Sequence, residues 1–222
     1  FNMNSELRKR IITSICLLFL LTLMFFYTYI LMISLIVISV ICWVEFYLLI
    51  SKIFNKSSFK NKILNLFYKL LSLIYLSFLT VFILTIKSSN PELEIIIIYS
   101  ILISIMSDIG GLIIGKTFKG AKLTKISPNK TMSGAIGSFI FSLSLIPFFI
   151  NYLPFYDFLT LFFITLIISL TSQAGDLFIS FLKRKAKVKN TSDLLPGHGG
   201  ILDRIDGIIF AIPVGFFIMN HF

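Results

Sequence analysis

Apolar residues run along this chain in long blocks, interrupted by short basic stretches. A helix needs about 20 apolar residues to cross the core of a bilayer. The block from Ile11 to Ile50 is twice that length. It predicts a helical hairpin broken near Phe26–Tyr29, where aromatic side chains suit a membrane interface. Further blocks predict spans over about Ile63–Ile86, Leu93–Ile114, Ser133–Ile150, Phe155–Phe181 and Ile201–Met219. Strand-like alternation is absent from these blocks, so a β-barrel is excluded. The pattern predicts an all-α, polytopic integral membrane bundle of about seven transmembrane helices.

Composition agrees with that pattern. Of 222 residues, 57% are hydrophobic and 14% charged, whereas a soluble domain carries roughly 45–50% apolar and about 25% charged residues. Disorder is excluded as well, because it needs low hydrophobicity.

The net charge of +10 then locates the loops. The N-terminal segment 1–10 and the connections 51–62, 115–132 and 181–200 together hold 17 of the 20 Lys and Arg residues. The other connections carry Lys87, Glu92 and Asp157. The basic stretches alternate, so the positive-inside rule puts the N-terminus in the cytoplasm and the C-terminus outside. Topology and attraction to anionic lipid account for most of these lysines. No base-stacking module accompanies the charge, so no nucleic-acid partner is expected.

Cys16 and Cys42 lie inside apolar runs with no CxxC pair, which argues against a disulfide framework or a zinc site. Arg8–Arg10 precede the first apolar block as in a signal peptide. No Ala-x-Ala-like site follows, so an uncleaved anchor is expected.

The acids are few and badly placed for a membrane protein. Of ten, Glu45, Asp108, Asp176, Asp203 and Asp206 fall in or at the edge of predicted spans. A carboxylate at a helix centre costs roughly 2.5–3.5 kcal/mol on insertion scales, and such acids mark ion paths, proton relays or metal sites. For Glu45 the alternative of a helix-end carboxylate reaching the interface weighs equally. Ser172, Asp176 and Ser180 recur at i, i+4 and i+8 and share a helix face that leads to Lys183 and Arg184. Asp203 and Asp206 are i, i+3 neighbours at the start of the last predicted span. Oxygen-rich, histidine-poor ligation suits a hard cation such as Mg²⁺, which keeps waters and shares phosphate oxygens.

The loops add anion-binding features. Gly111 and Gly115 form a GxxxG, a pattern that by itself signals close helix packing. In Ile126-Ser127-Pro128-Asn129-Lys130-Thr131 the Ser-Pro pair resists helix, and Lys130 and Thr131 open the next span. A helix N-terminus attracts anions. The second loop closes with Pro196-Gly197-His198-Gly199-Gly200, a turn that lets backbone N–H groups approach a ligand. Arg184 and Arg204 are two of only four arginines, and Arg can hold phosphate bidentately where Lys cannot.

Together these residues resemble the phosphatidate cytidylyltransferase (CDP-diacylglycerol synthase) family. Its C-terminal pattern is matched by Ser180, Lys183, Arg184, Lys189, Pro196, Gly197, His198, Gly199, Gly200, Asp203, Arg204 and Asp206. A second block resembles Ser107-Asp108 through Gly115, then Ile126–Thr131 and Gly134, and Trp43–Phe46 is similar to a weaker N-terminal element. The chain departs from the family with Asn190 where Asp is usual, Met132 where Trp is frequent, and Ser133 where a polar or acidic residue stands. Many members are longer, with about nine spans.

The resemblance implies transfer of CMP from CTP to phosphatidic acid, releasing pyrophosphate, in a bacterial inner membrane with the active site facing the cytoplasm. It implies catalytic roles for Asp176, Lys183, Arg184, Asp203, Arg204 and Asp206. Substrate or phosphate contacts would be Asp108, Ser127, Lys130, Thr131, Lys189, His198, Gly199 and Gly200. Mg²⁺ would sit on Asp176 and Asp203, with a second cation as an option. CTP, phosphatidic acid and membrane lipid are the expected partners, and a homodimer stays open. Residues 1–90 would then hold three N-terminal spans, and 91–222 the catalytic region with two basic cytoplasmic loops.

Two other classes compete. A transporter also uses intramembrane carboxylates, but these acids cluster at one predicted depth, and no internal repeat relates the halves. A CTP-using lipid-alcohol kinase does not match the His-Gly-Gly block with its flanking carboxylates.

Overall fold

The computed structural model describes residues 5–55, 58–89, 91–124, 126–197 and 199–221. Lys56, Lys125 and His198 lie outside the described residues. The helices are α1 (Ser5–Phe26), α2 (Thr28–Ile53), α3 (Phe59–Ser89), α4 (Pro91–Phe118), α5 (Met132–Leu143), α6 (Ile146–Phe149), α7 (Phe158–Lys185), α8 (Leu202–Ile205) and α9 (Ile208–His221). Beyond them, two isolated bridges are the only extended pairing among the described residues. The protein is all-α.

The first apolar block breaks at Tyr27, whose extended backbone (φ −121, ψ 106) separates α1 from α2. Among the described residues, five helical stretches are long and apolar enough to cross a membrane: Thr28–Ile53, Phe59–Ser88, Leu93–Phe118, Met132–Phe149 and Phe158–Lys185. α1 adds the shorter apolar stretch Ile11–Met24. Large side chains such as Ile12, Leu18, Phe19, Leu66 and Ile74 are exposed, as lipid-facing residues must be.

Two expected spans differ in detail. Ser133–Ile150 is interrupted after α5, and Pro147 sits in the first turn of α6, where its missing N–H does no harm. Ile201–Met219 is not one helix. Asp206 accepts a hydrogen bond from the Gly207 N–H (3.0 Å), a local bond that competes with the helical ladder. The chain therefore forms α8, breaks, and restarts as the 14-residue α9. At 1.5 Å per residue α9 is about 21 Å long, short of a bilayer core of about 30 Å.

The chain divides into two compact units, residues 1–84 with 182–204, and residues 85–181 with 205–222. In the first, α1 packs on α2. α2 meets α3 through Ser39 Oγ donating to the Leu76 carbonyl (3.4 Å) and Trp43 Nε1 donating to the Lys69 carbonyl (3.3 Å). Lys69 Nζ lies 3.5 Å from the centroid of the Tyr47 ring, a cation–π contact.

In the second unit α4 packs on both α5 and α9, around a core that includes Ile96, Tyr99, Ile103, Leu161, Ile168 and Ala211. The GxxxG residues serve this packing. A Cβ on Gly134 of α5 would stand 2.8 Å from the Gly111 carbonyl oxygen of α4, so only hydrogen permits the approach. Hydroxyls pair across the same core, Tyr99 with Thr165 and Ser104 with Ser172, both at 2.6 Å. Such bonds satisfy polar groups where no water reaches them. Asp157 starts α7 by accepting the Thr160 N–H (3.3 Å) and the Thr160 hydroxyl. The hydroxyl bond, with backbone N–H donors, outweighs partial desolvation and holds the Asp157 carboxyl below its ordinary range.

Candidate active site

Each unit carries a polar assembly. In the second unit, α4 supplies Asp108 and Lys116, and α7 supplies Gln173 and Asp176. Between α4 and α5 the chain turns back tightly. Lys130 N–H donates to the Ser127 carbonyl (3.0 Å), and Leu123 N–H to the Lys130 carbonyl (2.8 Å). Thr124 Oγ1 accepts from the Ser127 N–H (3.2 Å). Thr131 has extended backbone and caps α5 by accepting the Gly134 N–H at 3.1 Å. Ser-Pro-Asn favours such a turn, and a Thr N-cap suits the helix start.

All of these residues except Thr124 line a cavity of about 450 Å³, within the range of roughly 300–1,000 Å³ typical of small-ligand sites. Lys130 and Asp176 form an ion pair in its wall. Asp176 Oδ1 also accepts from Ser180 Oγ at 3.3 Å. The polar face Ser172–Asp176–Ser180 is thus realised, with Ser172 turned to Ser104 and Ser180 to Asp176. Asp206 belongs to this unit and is buried. Its carbonyl oxygen lies 2.8 Å from where a Cβ on Gly175 would stand, one residue before Asp176.

In the first unit the site is a loop. α7 ends as Val188 N–H bonds the Lys183 carbonyl (3.0 Å), and a loop in which exposed residues alternate with the buried Thr191 leads to α8. Leu195 and Gly199 exchange two backbone bonds (2.8 and 3.1 Å), which pinch off the Pro-Gly turn. Gly199 has φ +84, and a Cβ there would sit 3.1 Å from Asp203 Oδ2, so glycine is required on both counts. Thr13 Oγ1 of α1 donates to the Pro196 carbonyl (3.2 Å).

Asp203 gathers this loop. Its Oδ1 accepts from Lys183 Nζ (2.7 Å). Its Oδ2 accepts from the Thr191 N–H (2.9 Å) and the Gly200 N–H (3.1 Å) and lies 3.0 Å from the Thr191 hydroxyl, whose single proton it shares with Glu45. Burial pushes the Asp203 carboxyl up, but the Lys183 bond and charge, together with the Thr191 and Gly200 N–H groups, hold it below its ordinary value of 3.8.

Beside it Glu45, on α2 and 2% exposed, accepts from Thr191 Oγ1, Ser192 Oγ and the N–H groups of Ile201 and Leu202 at 2.9, 2.6, 3.1 and 2.8 Å. Arg184, Lys189 and Arg204 are exposed in this unit, and Gly199 and Gly200 are buried.

Of the residues expected from sequence, Asp108, Ser127, Lys130, Thr131 and Asp176 come together at the cavity, and Lys183, Gly199, Gly200 and Asp203 in the loop. His198 lies outside the described residues. Asp203 and Asp206, three apart in sequence, bind different donors, Asp203 those of the loop and Asp206 the Gly207 N–H that precedes α9. Sequence reasoning missed Thr191 and Ser192 altogether and left Glu45 undecided. The one available signal was the cost of a carboxylate inside the Thr28–Ile53 span.

A carboxylate offers about four lone-pair sites. The lysine and hydroxyl on Asp176 leave room for a hard cation, and its oxygens suit Mg²⁺. Asp203 already takes three N–H donors and shares the Thr191 hydroxyl with Glu45, so a cation there would displace Lys183 or a loop N–H. Among the described residues no three His, Cys, Asp or Glu side chains gather as a ready ligand set. Any cation would therefore complete its shell with water and phosphate oxygens.

The family model for cytidylyltransferases matches residues 1–222. The chain belongs to the cytidylyltransferase family. It is similar to the phosphatidate cytidylyltransferase of Rickettsia bellii (strain RML369-C), 40% identical over 163 residues that cover 69% of this chain and 70% of that protein. The phosphatidate cytidylyltransferase of Rickettsia prowazekii (strain Madrid E) is 43% identical over 145 residues, 62% of each chain. That of Bacillus subtilis (strain 168) is 40% identical over 129 residues, 57% of this chain and 48% of the relative. The chain thus spans from about half to 70% of these relatives' length. As a cytidylyltransferase it is an enzyme, a nucleotidyltransferase built of membrane helices.

Proposed function

We propose that this chain transfers CMP from CTP to phosphatidic acid, yielding CDP-diacylglycerol and pyrophosphate, at the cytoplasmic face of a bacterial inner membrane. The observation that carries the reading is the polar cavity with its Lys130–Asp176 pair in a unit built of mostly apolar helices, in a chain whose relatives are named for this reaction. An oxygen of the lipid phosphate attacks the α-phosphorus of CTP, and the bond to the β-phosphate oxygen breaks as pyrophosphate leaves. A phosphate monoester is already largely ionised near pH 7, so no strong general base is required. Catalysis then rests on positioning and on neutralising charge.

Lys130 and Thr131, at the start of α5, offer an ammonium, a hydroxyl and helix N–H groups to phosphate. Lys183, Arg184 and Arg204 offset the remaining negative charge. Asp176 is the carboxylate with room to hold magnesium, whereas at Asp203 a cation would have to displace Lys183 or a loop N–H. A magnesium ion held at Asp176 would supply positive charge to offset that of the phosphates and of the leaving pyrophosphate. Basic connections facing the cytoplasm favour anionic lipid and a soluble nucleotide on the same side.

Purified protein in liposomes, given CTP, Mg²⁺ and either phosphatidate or diacylglycerol, tests the reading. Pyrophosphate should be released with phosphatidate alone. Release with neither lipid, from folded protein, overturns it in favour of transport. Release of CDP with diacylglycerol overturns it in favour of a kinase.

A further inference from the structure

The carboxylate of Glu45 is tied to the two ends of one loop. Thr191 and Ser192 stand at the entrance, Ile201 and Leu202 at the exit, and all four donate to it. These partners are 146 to 157 residues away in sequence, so nothing local requires an acid on α2. Burying a carboxylate is costly unless it is well hydrogen-bonded. Here four donors meet that cost, and the chain gives up any side chain at residue 200 to allow it. A Cβ on Gly200 would stand 2.6 Å from Glu45 Oε2.

The same donors lead to Asp203. The Thr191 hydroxyl that lies 2.9 Å from Glu45 lies 3.0 Å from Asp203 Oδ2, and the Thr191 and Gly200 N–H groups bond that oxygen too. A shift of Glu45 therefore moves the donors that orient Asp203.

We propose that Glu45 is a positioning residue for CMP transfer, acting through Thr191, Ser192 and the exit of the loop to hold Asp203 and the Gly200–Leu202 backbone in their working arrangement. This rests on the CMP-transfer reading given above. Glu45 acts by geometry, and its four acceptor bonds need a carboxylate. Glu45→Gln keeps the shape but replaces one acceptor oxygen with an NH₂ that faces donors. Glu45→Asp keeps the charge but withdraws it by one methylene.

The test compares wild-type protein in liposomes with Glu45→Gln, Glu45→Asp and Ser192→Ala. It follows CDP-diacylglycerol formation and, independently of turnover, amide hydrogen exchange. Glu45→Gln should lower kcat about 10- to 100-fold with KM for CTP unchanged. Exchange should accelerate at Ile201 and Leu202 but not in α4 or α5. Ser192→Ala should show a smaller loss of the same kind, and it carries the comparison if the Glu45 variants do not fold. Wild-type kcat in Glu45→Gln, or a kcat loss with unchanged exchange at 201–202, overturns the proposal. So does faster exchange throughout the chain, which marks a merely structural role. Wild-type protein that forms no CDP-diacylglycerol overturns the CMP-transfer reading itself, which separates the two failures.

Discussion

Asp176 and Asp203 are both carboxylates with a lysine partner in a chain made mostly of apolar helix, yet their surroundings differ. Asp176 faces a cavity of about 450 Å³ and holds Lys130 and Ser180. Asp203 faces its own loop, with three N–H donors on its two oxygens, the Thr191 hydroxyl shared with Glu45, and Glu45 bracing the same segment. The cavity carboxylate has spare acceptor capacity, whereas the loop carboxylate has spent it on order. One arrangement suits exchange of partners with a ligand. The other suits a fixed shape in a stretch of chain that has no helix of its own. A polar group in a membrane protein can thus serve binding or architecture, and counting its existing donors tells which.

The largest effect should come from Asp203→Ala. It should lower CDP-diacylglycerol synthesis by roughly 10²–10³-fold while the protein still inserts, as read by radiolabelled lipid product and membrane fractionation. Near-normal turnover would remove Asp203 from the chemistry and leave it purely architectural.

The two lysines should part ways. Lys130→Met should raise KM for CTP by about tenfold, the worth of one charge-assisted bond to phosphate, with little change in thermal stability. Lys183→Met should lower stability by about 1–3 kcal/mol, because it strips a donor from a largely buried carboxylate. Equal stability losses in both would erase the distinction between cavity and loop.

Gly134→Val should destabilise the second unit by about 1–3 kcal/mol through overpacking against α4, since even a Cβ meets the Gly111 carbonyl at 2.8 Å. Thermal unfolding in detergent measures it, and an unchanged midpoint would deny the close α4–α5 contact.

The smallest effect is with pH. The folded-state value for Asp203 lies below its ordinary 3.8, so its ionised form stabilises the fold. That contribution is fully present above 3.8 and is lost as pH falls below it through the lowered folded value. The stability advantage of wild type over Asp203→Asn should hold from pH 7 to pH 5 and narrow only below 3.8. Narrowing already between pH 7 and pH 5 would contradict this.

Much of this could be read from residue order. The break at Tyr27 followed from aromatics at the middle of an overlong apolar block. The role of Thr131 as a helix start followed from Ser-Pro ahead of it. The Ser172–Asp176–Ser180 face followed from helical period. What escaped depends on contacts that periodicity does not encode. At the split of α8 from α9 the Asp206 side chain takes the Gly207 N–H, a local bond that hydrophobic periodicity does not report. Glu45 stayed undecided between a helix-end acid and a functional one because its donors lie at the far end of the chain. The pairing of Lys130 with Asp176 joins two motifs 46 residues apart, each legible, their contact not.

The most direct measurement follows the phosphorus atoms of CTP. Purified protein in phosphatidate liposomes with Mg²⁺ is supplied with CTP labelled at either the α- or the γ-phosphate. CMP transfer predicts α-label in the extracted lipid and γ-label in free pyrophosphate. Lipid carrying γ-label, or no label in lipid from folded protein, would contradict it.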